Sequence, residues 1–232
     1  MSEYDKIARL YDPWSRSVTE DIPFYVDEAR RSGGPVVELT VGTGRIAVPI
    51  ALEGIEVIGV DLSEGMLEVA HERAELAGVE LDLRHGDLRD PPVAGTYPLV
   101  IVPFRSLLHM QEDGHLRAAL RAVHRLLEPG GRFVFDVFQP DAEDIRETQG
   151  RWLEREPGIF ERADWDEPRR TLVLRVRGNG TAGTLGLSWL PVEAWRALLD
   201  EEGFEVEELY GWFDRRPWQG EEDSIWVCRK RA

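Results

Sequence analysis

The feature that most constrains this chain is a regular alternation of short strands and helices between residues 35 and 138. The predicted strands are mostly apolar and lie at residues 35–39, 56–61, 80–85, 97–103 and 132–138. Helices are predicted between them, at residues 46–53, 63–77 and 113–127. Apolar strands separated by helices indicate a parallel sheet that is buried on both faces. Right-handed crossovers make such a sheet doubly wound.

The flanking segments have other patterns. Residues 1–32 are predicted to be helical, with Pro13 breaking the first helix. Four β-prone stretches, separated by Pro and Gly turns, predict an antiparallel element inserted within residues 140–190. A helix and two strands complete the chain, at residues 191–202, 204–210 and 225–229. We therefore expect one α/β domain over residues 1–232 with an inserted antiparallel β element.

Charge and cysteine content narrow the partners and the compartment. The formal net charge is -16 and the sequence pI is about 4.8. Such a surface repels phosphates, so we expect no nucleic-acid partner and no membrane partner. The single cysteine, Cys228, excludes an internal disulfide. No apolar run approaches the roughly 20 residues of a membrane helix, and the N-terminal residues lack a signal-peptide pattern. These features predict a cytoplasmic protein.

A glycine turn follows the first predicted strand. Gly42 and Gly44 allow a ligand to approach the backbone closely, and the next helix offers free N–H groups. Asp61 ends the second strand, where a carboxylate can accept hydrogen bonds from a ribose diol. Asp87 follows the third strand. Because these loops leave the carboxyl ends of adjacent parallel strands, they predict a shared binding crevice for a nucleotide-like ligand.

Glu38 separates two classes of ligand. Residues 42–47 fit the dinucleotide pattern G-x-G-x-x-A, so an NAD(P)-dependent oxidoreductase is one alternative. An acid directly before the turn would repel a pyrophosphate, but it would favour the cationic S-adenosylmethionine, which has no phosphate. Arg45 is a candidate to meet the ligand's carboxylate; the alternative is a solvated helix residue.

Four segments then match, in order, the motifs of one family. Residues 36–45, 57–67, 85–88 and 126–135 together resemble the motifs of class I S-adenosylmethionine-dependent methyltransferases. Residues 201–206 resemble the helix-to-strand junction near the end of that fold. The resemblance implies a doubly wound seven-stranded, mostly parallel sheet whose last strand is antiparallel. It also implies S-adenosylmethionine as cofactor and S-adenosylhomocysteine as product.

The resemblance implies roles for individual residues. Glu38 and Gly42 would line the methionine part, Asp61 would hold the ribose, and Leu62 with Met66 would pack on the adenine. Asp87 and Leu88 would read the adenine edge. A plain core position is the alternative for Met66. The full cofactor-binding set is Glu38, Thr40, Gly42, Gly44, Arg45, Asp61, Leu62, Met66, Asp87, Leu88 and Pro103.

Two positions depart from the family pattern. Thr40 stands where the family usually has Gly or Ala, and a β-branched residue there narrows the turn. The acid that often begins the family's fourth strand is missing from residues 97–99. These departures leave open a non-catalytic cofactor-binding module as the second alternative.

Methyl transfer is an in-line displacement, so proximity and orientation can supply much of the rate. Acceptor-side residues are expected from the loop at residues 103–109. His109 is the candidate general base, with a structural histidine as the alternative. Phe104 and Arg105 are candidates for binding the acceptor, although Arg105 could instead form a surface ion pair.

The N-terminal segment supplies the second catalytic candidate. By resemblance, residues 1–32 form a helical lid over the cofactor, and Tyr11 is preferred to Tyr4 as its contributing tyrosine. Core packing is the alternative. The inserted element at residues 140–190 resembles the substrate cover of small-molecule relatives.

Tryptophan is concentrated in the second half of the chain, where seven of the eight lie between Trp152 and Trp226. They predict either an apolar acceptor pocket with cation–π contact to an amine, or core filling and contact within a homodimer. No metal site is expected, because the histidines lack zinc-ligand spacing. The sequence thus predicts methyl transfer to nitrogen or oxygen of a small molecule.

Overall fold

The computed structural model describes residues 2–112 and 114–231. The helices are α1 (Ala8–Trp14), α2 (Asp21–Ser32), α3 (Ala47–Leu52), α4 (Glu64–Ala77), α5 (His115–Leu126), α6 (Ala142–Thr148) and α7 (Val192–Glu201). The strands are β1 (Val36–Leu39), β2 (Val57–Asp61), β3 (Asp82–His85), β4 (Tyr97–Val102), β5 (Leu127–Phe138), β6 (Trp152–Glu156), β7 (Ile159–Asp166), β8 (Thr171–Gly178), β9 (Thr181–Ser188), β10 (Phe204–Tyr210) and β11 (Asp223–Lys230). A short 3-10 helix spans Ser106–His109.

Seven strands form the main sheet, in the order β10-β11-β5-β4-β1-β2-β3. Neighbouring strands from β5 to β3 pair in parallel, whereas β11 pairs antiparallel with both β5 and β10. All side chains of β1 are buried, as expected for a central strand covered by helices on both faces. The doubly wound, seven-stranded and mostly parallel sheet is therefore confirmed.

Local sequence signals mark both ends of α4. Ser63 caps α4, because its hydroxyl accepts a hydrogen bond from the Met66 N–H at 3.2 Å, and Gly78 ends the helix in the left-handed region. Pro13, however, lies inside α1, which ends one residue later at Trp14. The prediction that Pro13 breaks this helix was wrong.

Two features of the chain around β5 were not predicted. Strand β5 begins at Leu127, because Leu127 pairs with Tyr97 of β4. The predicted turn at residues 128–131 lies within the strand, at a shift in the register of its pairing with β4. A Cβ atom on Gly131 would lie 3.0 Å from the Tyr97 carbonyl oxygen, so the close approach requires glycine. Helix α6 also follows β5. The Asp141 carboxylate caps it by accepting hydrogen bonds from the N–H groups of two residues in the first turn of the helix.

The inserted element is a four-stranded antiparallel sheet in the order β6-β7-β8-β9, as predicted. One face packs against the main domain through buried residues that include Ala163, Leu172 and Leu187. Its Ile159, Val176 and Leu185 pack with residues at the start of α1. The second sheet thus lies against the N-terminal segment. Every helix in the described part of the chain is too short or too polar to cross a bilayer.

Candidate active site

The loops after β1 to β4 meet at one edge of the main sheet, where two cavities lie side by side. The first, of about 380 Å³, is lined by the carboxyl end of β2 and the loops that follow β1, β2 and β3, together with the N-terminal segment and the chain between β4 and α5. The second, of about 550 Å³, is lined mainly by the inserted sheet, α1 and the loop after β4. Four side chains line both cavities: Tyr4, Tyr11, Phe104 and His109. We call the first the donor cavity and the second the acceptor cavity.

The donor cavity contains most of the predicted cofactor residues. Thr40, Gly42, Asp61, Leu62, Met66, Asp87 and Leu88 line it. Glu38, Gly44, Arg45 and Pro103 are not part of its lining. The sequence motifs therefore surround the cavity, but they did not distinguish the residues that line it from the residues behind the lining.

The glycine turn uses left-handed backbone conformations. Gly42 and Gly44 have φ angles of 56° and 72°, which glycine adopts without steric cost. Thr40 has a φ of 63°, a costly conformation for a β-branched residue. Its hydroxyl donates to the Leu39 carbonyl oxygen. Thr40 lines the donor cavity, which is present despite the β-branched residue in the turn.

Asp61 is held in place by backbone donors. The Gly42 and Ser63 N–H groups each donate to its carboxylate at 2.8 Å. Burial raises the pKa of Asp61, although these hydrogen bonds oppose that shift. Asp61 also lines the donor cavity, so a ribose diol bound there could donate to the lone pairs that these two bonds leave free. Leu62 is 49% exposed beside it, whereas Met66 is 2% exposed and packs with Ala8 and Tyr11.

Glu38 is 2% exposed, and its Oε2 atom has no hydrogen-bond partner among the described residues. Burial raises the pKa of this carboxyl well above its ordinary value. A buried carboxyl oxygen without a partner needs a hydrogen-bond donor, because a missing hydrogen bond at such a group costs about 1–3 kcal/mol. Glu38 does not line the donor cavity directly, but an ammonium group of S-adenosylmethionine that reached this oxygen would supply the missing donor.

Asp87 already has a partner in this structure. Its carboxylate pairs with Arg89, whose Nε atom donates to Oδ1 at 2.9 Å, and this contact lowers the pKa of Asp87. Arg89 also contacts the ring of His115. An adenine amino group would therefore share the carboxylate with Arg89.

Arg45 is buried rather than solvated. Its side chain is 11% exposed and forms an ion pair with Asp21 of α2, with Nη1 donating to Oδ1 at 2.8 Å. The guanidinium also lies 4.6 Å from the centre of the Phe104 ring. The interpretation of Arg45 as a solvated helix residue was wrong, because α3 begins only at Ala47 and α2 covers the turn.

The acceptor cavity combines aromatic and acidic walls. Its aromatic residues other than the shared ones are Trp14, Phe138 and Trp165. Its charged lining residues are Arg105, Asp144, Glu154, Arg155, Glu161 and Glu222. Burial and the nearby Asp144 raise the pKa of Glu222 to about 7. Carboxylates thus outnumber guanidiniums on this lining by four to two.

The two tyrosines and His109 meet at the boundary between the cavities. The hydroxyl of Tyr4 lies 2.9 Å from His109 Nε2, and the Tyr4 and Tyr11 rings pack edge to face with centroids 6.0 Å apart. Burial lowers the pKa of His109 to about 4, so the imidazole is neutral at pH 7. A neutral Nε2 can accept the Tyr4 proton in a hydrogen bond. The sequence analysis named His109 as the candidate general base and preferred Tyr11 to Tyr4, but in the structure Tyr4 is the tyrosine that contacts His109 through its hydroxyl.

Arg105 lines the acceptor cavity and also pairs with Asp223, at 2.6 Å. Arg105 thus forms the ion pair that the sequence offered as the alternative, and it also lines the cavity in which an acceptor would bind. Three of the seven tryptophans in the second half of the chain are buried in the core, namely Trp189, Trp195 and Trp226. Of that group, Trp165 lines the acceptor cavity. Glu222, which directly precedes β11, lines the acceptor cavity and was not among the predicted site residues, because no local motif marks it.

Comparisons with known proteins agree with this geometry. Residues 36–131 match the family model described as "Methyltransferase domain". The ubiquinone biosynthesis O-methyltransferase of Ruegeria pomeroyi is 35% identical over 130 residues, which are 53% of this chain and 51% of that protein. The cypemycin N-terminal methyltransferase of a Streptomyces species is 25% identical over 98% of this chain and 94% of its own length. The chain spans about half the length of the first curated relatives it matches.

A solved structure extends the likeness to the whole chain. The CcbJ methyltransferase from Streptomyces caelestis superposes with a TM-score of 0.82 and 26% identity, covering 100% of this chain and 99% of its own. Residues 36–131 thus match a methyltransferase domain, and the whole chain has the class I S-adenosylmethionine-dependent methyltransferase fold. S-adenosylmethionine is the cofactor that this domain and this fold imply. The NAD(P)-dependent alternative is set aside.

Proposed function

We propose that this protein transfers the methyl group of S-adenosylmethionine to nitrogen or oxygen of a small molecule. The observation that carries the proposal is the junction of the two cavities, which share Tyr4, Tyr11, Phe104 and His109. A sulfonium methyl group at this junction can face an acceptor held on the other side. In-line attack by the acceptor would form the new bond to the methyl carbon as the carbon–sulfur bond breaks, and the sulfur would leave as the neutral thioether of S-adenosylhomocysteine.

Each side of the junction has a part in this proposal. Glu38 and Asp61 would hold the ammonium and the ribose of the cofactor. Tyr11 and Phe104 form part of the wall at which the methyl group would be exposed. The hydroxyl of Tyr4, oriented by His109, would accept a hydrogen bond from the acceptor and direct its lone pair to the methyl carbon.

Nitrogen is the acceptor atom that the cavity's charge favours. The carboxylates of the acceptor cavity attract an ammonium group, and its aromatic rings can pack on one. Glu222 can take the proton that an amine must lose before attack, because its pKa of about 7 suits exchange near neutral pH. The inserted sheet, within residues 140–190, would cover the bound acceptor, and the helical segment 1–32 would cover the cofactor.

Two measurements test the proposal in sequence. Calorimetric titration with S-adenosylhomocysteine should show micromolar binding, and NADH, the control, should show none. Incubation with methyl-labelled S-adenosylmethionine and a panel of small amines and phenols should then label at least one amine. Binding without transfer to any member would contradict the proposal and favour a non-catalytic module.

A further inference from the structure

Asp136, near the carboxyl end of β5, accepts three hydrogen bonds although it is only 5% exposed. The Tyr25 hydroxyl donates to Oδ1 at 2.6 Å. The backbone N–H groups of Phe104 and Arg105 donate to Oδ1 at 2.7 Å and to Oδ2 at 3.0 Å. The ionised carboxylate suits three donors, because protonation would add a fourth donor to the group. Asp136 therefore joins β5, helix α2 and the loop after β4.

The two backbone donors belong to residues in an unfavourable conformation. Phe104 and Arg105 have φ angles of 58° and 60° in succession. The left-handed region costs a non-glycine residue about 1–2 kcal/mol, and a bulky residue adopts it only where the surroundings compensate. The buried carboxylate supplies that compensation, because its hydrogen bonds reach these two N–H groups.

The backbone conformation decides where two side chains of the site lie. The ring of Phe104 lies between Tyr11, with ring centroids 5.9 Å apart, and the Arg45 guanidinium, and it lines both cavities. Arg105 lies against the Phe138 ring in the acceptor cavity. A change of backbone conformation at these two residues would move both side chains away from the junction.

We propose that Asp136 is a positioning residue for methyl transfer. Its carboxylate holds the backbone of Phe104 and Arg105 in the conformation that places their side chains at the boundary between cofactor and acceptor. The inference rests on the proposed function for its catalytic meaning. The hydrogen bonds that carry it can be tested without any acceptor.

The experiment compares Asp136→Asn with Tyr25→Phe at pH 8. Each variant disturbs a buried hydrogen bond to the same carboxylate, but only the first disturbs the bonds to the loop. We expect Asp136→Asn to speed hydrogen exchange of the Phe104 and Arg105 amides at least tenfold, as measured by NMR. It should also weaken S-adenosylhomocysteine binding about fivefold, because Phe104 lines the donor cavity. Tyr25→Phe should change both quantities less than twofold.

Catalysis gives a further readout with any amine that the panel identifies. In Asp136→Asn the KM for that amine should rise about tenfold and kcat should change less, because the wall of the acceptor cavity moves. Unchanged amide exchange in Asp136→Asn, or an equal increase in both variants, would overturn the inference. If Asp136→Asn fails to fold, wild-type exchange decides: a rate at either amide near that of an unstructured peptide would also overturn it. Absence of methyl transfer beside the expected exchange rates would contradict the proposed function alone.

Discussion

The donor and acceptor cavities share four side chains but are built in different ways. Half of the residues that line the donor cavity lie at the ends of three neighbouring strands or shortly after them, so short motifs supply that part of its wall. The acceptor cavity is formed by segments that are far apart in the chain, from Tyr4 to Glu222. Local sequence therefore predicts part of the donor cavity, whereas the acceptor cavity depends on how distant elements of the chain pack together.

The largest expected effect is at the junction where the two halves meet. Replacing His109 with Ala should lower turnover about a hundredfold, because Tyr4 loses the group that orients its hydroxyl. Turnover is measured with labelled S-adenosylmethionine and an amine from the panel. His71→Ala, at an exposed position on α4, is the matched control and should leave turnover unchanged. Full activity of the His109 variant would make that histidine purely structural.

A second substitution tests the donor cavity alone. Asp61→Ala should weaken S-adenosylhomocysteine binding at least tenfold, since a charged hydrogen bond to the ribose is worth about 1.5–3 kcal/mol. Asp82→Ala, which removes an exposed carboxylate from the neighbouring strand, serves as the control in the same calorimetric titration. Equal affinities for Asp61→Ala and the wild type would remove the ribose role from Asp61.

The smallest effect concerns the acceptor side and needs no acceptor. The pKa of Glu222 is about 7 in the folded protein, above its ordinary value, so folding favours the protonated form. Its ionisation therefore lowers the free energy of unfolding as pH rises towards and through 7. Glu222→Gln should be more stable than the wild type at pH 8, and the difference should shrink towards pH 5.

Urea unfolding at the two pH values measures this difference. Glu208→Gln, at an exposed position on β10, is the control and should show no such pH dependence. A Glu222→Gln variant that gains nothing at pH 8 would mean that this carboxyl is not desolvated, and its suggested part in taking a proton from an amine would lose its basis.

Prediction from sequence succeeded where the signal is local. Apolar strands, helix caps such as Ser63 and the turn at Gly42 each depend on a few neighbouring residues, so the main sheet was predicted correctly. Seven of the eleven predicted cofactor residues line the donor cavity, and their roles there stay a prediction. Prediction failed where a contact joins residues that are distant in the sequence. The solvated alternative for Arg45 was excluded by Asp21 of another helix, and the partner of Tyr4 lies more than a hundred residues away.

The sequence by itself determined the doubly wound sheet, the crevice at its carboxyl edge and the class of cofactor, because strand periodicity, turn glycines and carboxylates at strand ends act over short distances. The tertiary structure alone decided how Tyr4 meets His109, how Asp136 holds a left-handed loop and which acids face the acceptor. These arrangements arise when β5, the N-terminal helices and the inserted sheet pack together. Burial then shifts the pKa values of their ionisable groups, and that burial cannot be predicted from the neighbouring residues in the chain.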